Sequence, residues 1–243
     1  MDYVPYSSQW LSEWLITIFC GDYEKFLSYL RGKTDEEIEM LLRKRETLLN
    51  VSSLFHVIIG ARTLYSDHPS IQTAQRMCKV YLDVKADHMK IFIKLLSLGV
   101  GINDRDFAGF TPLHHCAQHL GNEVTLKMAE RLIKAGADVN AKNRFGDTPL
   151  HECVESNKED MIHLLVSNGA DYRIKNNDGQ TVEMISPPFI RDLLGSLDKK
   201  KSKEERSKLK EAAGGSFKNC FVCRKVDGGN KRCTGRQCDT FEM

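Results

Sequence analysis

Apolar residues recur along this chain three or four apart, in short runs that end at a glycine, the pattern of amphipathic helices. "WLITIFCGDYEKFLSYLRG" (Trp14–Gly32) reads as two such helices, and "ETLLNVSSLFHVIIG" (Glu46–Gly60) and "FIKLLSLGVGINDRD" (Phe92–Asp106) supply one each. Further on, "AERLIKA" and "DMIHLLVSN" stop at Gly136 and Gly169, where a residue tolerant of left-handed backbone is expected to end a helix. Between the last two lies "GDTPLHECVES" (Gly146–Ser156), which nearly duplicates "GFTPLHHCAQH" (Gly109–His119).

The duplication has a fixed period. Gly136 to Gly169 spans 33 residues, and Thr148 to Thr181 spans 33 again. Thr111 to Thr148 spans 37, which implies a four-residue insertion near "HLGNEVTLK", between the two helices of that unit. Thr111 and Thr148 offer a hydroxyl at a helix entrance, and Pro112 and Pro149 follow at the first turn, where a missing N–H is harmless. Each unit is therefore turn, helix, turn, helix.

These residues resemble ankyrin repeats, whose signature is a period of 33 with T-P-L-H-x-A. The expected fold is an all-α solenoid of four or five units, occupying residues 1–197. The clear units are about 108–140 and 145–178; degenerate ones lie at about 10–32 and 46–104, with a cap at about 179–197 cut by Pro187 and Pro188. An insertion from Ala61 to about Ala86 is expected inside the second unit. A single unit cannot bury its own apolar face, so stacking makes the core.

The polar residues in the motif raise the question of catalysis. In the resemblance, His114 and His151 join backbone between neighbouring units, which is a structural duty. His115 and His119 are four apart but lack a third ligand type nearby. Cys116 and Cys153 occupy a small-residue position, and no G-x-S-x-G, H-E-x-x-H or phosphate-binding glycine loop is present. The expectation is a non-enzyme.

What the resemblance implies is a concave face of turn tips and first helices that binds other proteins. Arg105, Phe107, Phe110, Lys142, Arg144 and Phe145 lie at or near those tips and are the candidate contact residues, since Arg and aromatic side chains dominate interfaces. In "LIKAGADVN", Leu132, Asp138, Val139 and Asn140 resemble the pattern a cytosolic asparaginyl hydroxylase accepts in ankyrin proteins, making Asn140 a candidate hydroxylation site.

Composition matters mainly at the C-terminus. Residues 198–243 carry 13 Lys/Arg against 7 Asp/Glu, although the whole chain is only +2. Residues 198–216 form a charged linker without an apolar face. Residues 217–243 gather Cys220 and Cys223 as C-x2-C and Cys233 and Cys238 as C-x4-C, four thiolates that could surround one zinc ion. With "KRC" at Lys231–Cys233 the segment resembles the start of a MYND-type zinc finger, which often accompanies ankyrin repeats and recruits partner peptides. The resemblance covers Cys220, Cys223 and Cys233; Cys238 and the single-zinc set depart from a two-zinc family pattern.

The resulting expectation is a cytoplasmic or nuclear adaptor: no apolar run reaches the eighteen or so residues of a membrane span, and no basic region precedes the first apolar stretch. The alternative is a nuclear regulatory or nucleic-acid-associated factor acting through the basic tail, although the aromatic interleaving that base stacking needs is missing. A lysine methyltransferase, another setting for MYND fingers, would need a catalytic domain this chain does not contain.

Overall fold

The computed structural model describes residues 13–43, 52–64, 86–118 and 122–197, together with the backbone of 218–219 and 226–227. Contacts divide the chain into two compact units, Met1–Leu194 and Gly195–Met243.

In the first unit the described helices are α1 (Glu13–Cys20), α2 (Tyr23–Leu30), α3 (Asp35–Leu42), α4 (Ser53–Leu64) and α5 (His88–Ser97). They continue as α6 (Pro112–Ala117), α7 (Glu123–Lys134), α8 (Pro149–Glu155), α9 (Glu159–Ser167) and α10 (Val182–Ile185), with a final helical stretch, α11, over residues 188–197. The helices pair as α1–α2, α4–α5, α6–α7 and α8–α9. First helices then touch in the order α1, α4, α6, α8, α10, and second helices in the order α2, α5, α7, α9. Two parallel columns of short helices result, each unit contacting its neighbours.

The core is what the columns enclose. Phe26, Phe55, Phe92, Leu113, Met128 and Leu150 are fully buried, one or two from each pair. Ile190 and Leu194 of α11 are buried as well, as a closing helix requires. Local chemistry sets the helix starts: Asp22 and Asp87 accept the Lys25 and Lys90 N–H groups, each at 3.0 Å, at the entrances of α2 and α5. Asn122 does the same for α7, accepting from Val124 and Thr125.

The first-helix column closes most tightly at its start. His88 Nε2 donates to the Phe19 carbonyl at 2.8 Å, tying α5 to α1 across the end of α4. A Cβ on Gly60 would strike that carbonyl, and one on Gly21, whose φ is +78°, would strike the His88 ring. The glycine that ends "LFHVIIG" is therefore a close-approach residue inside α4, not a stop, because α4 runs on to Leu64. Ala61–Leu64, expected in the insertion, belong to this helix.

Two other expectations are corrected. The four-residue insertion sits mostly within the second helix of its unit: α7 has 12 residues where α9 has 9. Three added residues are close to one helical turn, so the buried stripe of Met128, Ala129 and Leu132 stays in register. Helix α3 lies outside the expected elements; its entrance is a capping box in which Thr34 and Glu37 satisfy each other's backbone N–H. Its apolar side chains Ile38, Leu41 and Leu42 share one face and are half-buried, and none is fully buried. At the C-terminal end, Ser186 and Pro187 separate α10 from α11 and Pro188 opens the new helix, as a proline can at a first turn.

In the second unit a two-residue strand, β1 (Lys218–Asn219), pairs antiparallel with β2 (Val226–Asp227) in the register Lys218–Asp227 and Asn219–Val226.

Candidate protein-interaction surface

The turns between units are built around an Asp or Asn at one recurring position. Asp106, Asn143 and Asn176 each begin a turn, and each side-chain Oδ1 accepts the backbone N–H four residues on: Phe110, Asp147 and Gln180, all at 2.9 Å. Backbone closes the other side, since the three N–H groups donate to the carbonyls of Phe110, Asp147 and Gln180 at 2.9–3.0 Å. Short polar side chains favour such self-bonded turns. Gly109, Gly146 and Gly179 occupy the left-handed position that completes them, with φ of +79°, +82° and +76°.

Adjacent turns are joined edge to edge. Arg144 N–H donates to the Ala108 carbonyl at 3.0 Å, and Asn177 N–H to the Phe145 carbonyl at 2.9 Å. The turns therefore form a ribbon whose side chains stand at regular intervals.

Beneath the ribbon, the histidines bond the units together. The Thr111 N–H donates to His114 Nδ1 at 3.1 Å, which leaves Nε2–H to donate across to the Asp147 carbonyl of the next unit at 3.1 Å. Burial lowers the His114 pKa to about 4, so the ring is neutral and keeps this tautomer. His151 repeats the inner half, accepting the Thr148 N–H at 3.2 Å. His115 points the other way, donating Nε2–H to Asp106 Oδ2 at 2.9 Å. Cys116 and Cys153 are buried, and burial pushes both thiols far above their ordinary pKa, the opposite of an activated nucleophile.

The six candidate contact residues separate in this frame. Phe107 and Phe145 stand out from the ribbon at 61% and 59% exposed. The Arg144 guanidinium lies over the Phe107 ring at 4.7 Å, a cation–π contact between neighbouring units. Arg105 donates to Gly109 O at 3.1 Å and to Lys142 O. Lys142 Nζ donates to Lys175 O at 2.8 Å. Phe110 is turned inward, its ring 5.6 Å from those of His114 and His115. Sequence reasoning missed Lys175, which occupies the same turn position as Arg105 and Lys142, immediately before Asn176. The 33-residue period, carried one unit further, would have found it.

Asn140 is fully engaged. Its Nδ2 donates to Gly169 O at 3.1 Å and its Oδ1 accepts the Asp171 N–H at 2.9 Å, fastening the exit of α7 to the exit of α9. Asn103 makes the same pair of bonds to Gly136 and Asp138, one unit earlier.

Below the turns, α8 carries two acidic residues, Glu152 and Glu155. Glu152 of α8 accepts weakly from Asn143 Nδ2 at 3.4 Å. Burial and the neighbouring charges of Glu155 and Asp147 push its pKa up to about 7. Across from it, Arg62 of α4 donates to Gln118 Oε1 at the end of α6.

Cys220, Cys223, Cys233, Cys238 and the basic linker lie outside the described residues, as does His119. Among the described residues, no group of His, Cys, Asp or Glu is arranged to hold a metal ion, and no helix is long and apolar enough to cross a membrane. No curated protein matches the chain. Residues 80–176 match the family model described as ankyrin repeats, three copies, and this stretch of the chain carries ankyrin repeats, a fold that generally serves non-catalytic protein binding.

Proposed function

We infer that this chain is a non-catalytic adaptor that holds another protein along its turn ribbon and first helices. The observation that carries the reading is the pair of exposed phenylalanines, Phe107 and Phe145, on the turn ribbon. Aromatic side chains displayed by a backbone bonded on both edges are of the kind that anchor protein interfaces. Their mounting is rigid, so binding would order few side chains, which favours affinity.

The test is affinity capture with the full chain and with the double variant Phe107→Ala/Phe145→Ala. Because both rings are exposed, the variant should melt within about 2 °C of the parent, the effect of a surface change of a few tenths of a kcal/mol. Loss of the captured protein at unchanged melting supports the reading; an identical set of captured proteins overturns it.

A second, zinc-dependent interaction module belongs to the same proposal. Four thiolates from Cys220, Cys223, Cys233 and Cys238 suit tetrahedral zinc. The paired strands β1 and β2 bracket the first two cysteines in sequence, as a metal knuckle on a hairpin requires. Zinc measured in the purified chain at about one equivalent, and absent from a Cys220→Ser/Cys223→Ser variant, supports it; no zinc in the purified chain removes it.

A further inference from the structure

One column of cationic side chains on the turn ribbon repeats with the fold and enters no ion pair among the described residues. Arg105, Lys142 and Lys175 each sit immediately before the turn-forming Asp106, Asn143 or Asn176, so they are the same position in three consecutive units. Each of the first two reaches forward to the backbone carbonyl of the next: Arg105 to Lys142 O, then Lys142 to Lys175 O. The reach fixes their direction without neutralising them. Among the described residues the ion pairs are Arg43–Glu39, Lys90–Asp87, His115–Asp106 and Lys127–Glu123, and none includes a member of this column. Arg144, one position beyond the turn residue, adds a fourth cation beside the column and lies over the Phe107 ring.

Such a ladder selects a partner by spacing as well as by charge. Packed helices, and hence the units built on them, stand roughly 8–10 Å apart. A polyproline II segment rises about 3.1 Å per residue and turns once in three residues, so side chains three apart share one face and about three residues span one unit. A guanidinium has five N–H donors and an ammonium three, which leaves donors on every rung after the carbonyl bonds are counted. The exposed rings of Phe107 and Phe145 offer apolar contact between the rungs.

Resting on the reading of the ribbon as a protein-binding surface, we propose that it docks a partner segment in polyproline II conformation bearing a carboxylate at every third residue, with apolar side chains between. The carboxylates pair with Arg105, Lys142 and Lys175, and the apolar side chains cover Phe107 and Phe145. Glu152 and Glu155 of α8 lie below the ribbon, so a basic segment is the rival occupant and an outcome of the test.

The probe is a fluorescein-labelled twelve-residue peptide of four Glu-Leu-Ser triplets, titrated with the full chain by fluorescence anisotropy at two salt concentrations. Two controls share its length: one with Lys for Glu, and one with the same composition but the glutamates adjacent. The triplet peptide should bind more tightly than both and weaken as salt rises. Lys175→Glu should weaken it about fivefold, the scale of one exposed ion pair of about 1 kcal/mol. This variant leaves the carbonyl bonds of Arg105 and Lys142 in place, so its fold is expected to be kept and is checked by its melting curve. Equal or tighter binding of the Lys peptide, equal binding of the adjacent-Glu peptide, or no effect of Lys175→Glu each overturns the proposal. If the triplet peptide fails to bind while capture through Phe107 and Phe145 persists, this inference falls and the adaptor reading stands; if that capture fails too, both fall.

Discussion

At the scale of single residues, the protein spends its histidines on joints. His88 is buried against the Phe19 carbonyl and its pKa falls to about 4, the same value as His114, in each case mainly through burial. The sign follows from linkage: between about pH 6.5 and 4 the unfolded chain takes up protons that the folded chain refuses, so stability present above 6.5 is lost as pH falls. Each histidine contributes up to about 3 kcal/mol over that window. Glu152 works in the opposite sense, because its folded pKa of about 7 exceeds the unfolded 4.5 and its contribution is lost as pH rises through 7. Melting temperature should therefore fall steeply from pH 6.5 to 4. Glu152→Gln should raise it by a few degrees at pH 8 and change it little at pH 4.5, as read by circular dichroism at both pH values. A variant no more stable than the parent at pH 8 would contradict the origin assigned to that shift. Gly60→Ala places a methyl against the Phe19 carbonyl and the His88 ring, so the joint between α1, α4 and α5 must shift. It should destabilise the chain by about 2–4 kcal/mol in denaturant titration, the cost of overpacking a core together with straining a buried hydrogen bond.

At the scale of elements, each described helix is too short to persist alone and is held by its neighbours. Isolated helices below about 12–15 residues are marginal in water, and the longest among the described residues, α4 and α7, reach 12. Asn140 shows what couples them, since one amide bonds two backbone groups of the following unit. Asn140→Ala removes both bonds and should lower stability by about 1–2 kcal/mol. Hydrogen exchange should quicken at Asp171, whose N–H loses its acceptor, and unchanged protection there would argue against the bridge. The same geometry bears on modification of this residue: an enzyme acting on Asn140 would have to draw it out of a doubly bonded loop. An intact-mass gain of one oxygen on co-expression with the hydroxylase tests whether it does.

At the scale of the molecule, stability is a sum of neighbour contacts along the columns. The α1–α2 pair covers α4 at the N-terminal side of the described stack, where Trp14 Nε1 donates to Ser53 Oγ at 3.0 Å and Ile58 is fully buried. Removing residues 1–33 should expose that surface and release His88 from Phe19. The expected result is a melting point lower by well over 5 °C and a new tendency to associate, visible in thermal scans and light scattering; a truncated chain that melts like the parent would show that α1–α2 is not a cap.

Whatever repeats in this protein is written in the chain itself. The period of 33, the Thr-Pro entrances and the turn glycines each follow from local backbone chemistry, so the helices of residues 108–178 are legible in the order of residues alone. The candidate contact residues are legible for the same reason, because Phe107, Arg144 and Phe145 sit at fixed offsets from those turns. Contact across units settles the remainder, and no local pattern encodes it. Gly60 is a close-approach point because Phe19 and His88 converge on it from segments 41 and 28 residues away. Phe110 turns inward because two histidine rings receive it, and Arg105 and Lys142 become a ladder because each finds the next unit's carbonyl. Periodicity states which residues are equivalent; only the stacked helices determine which of the equivalents meet.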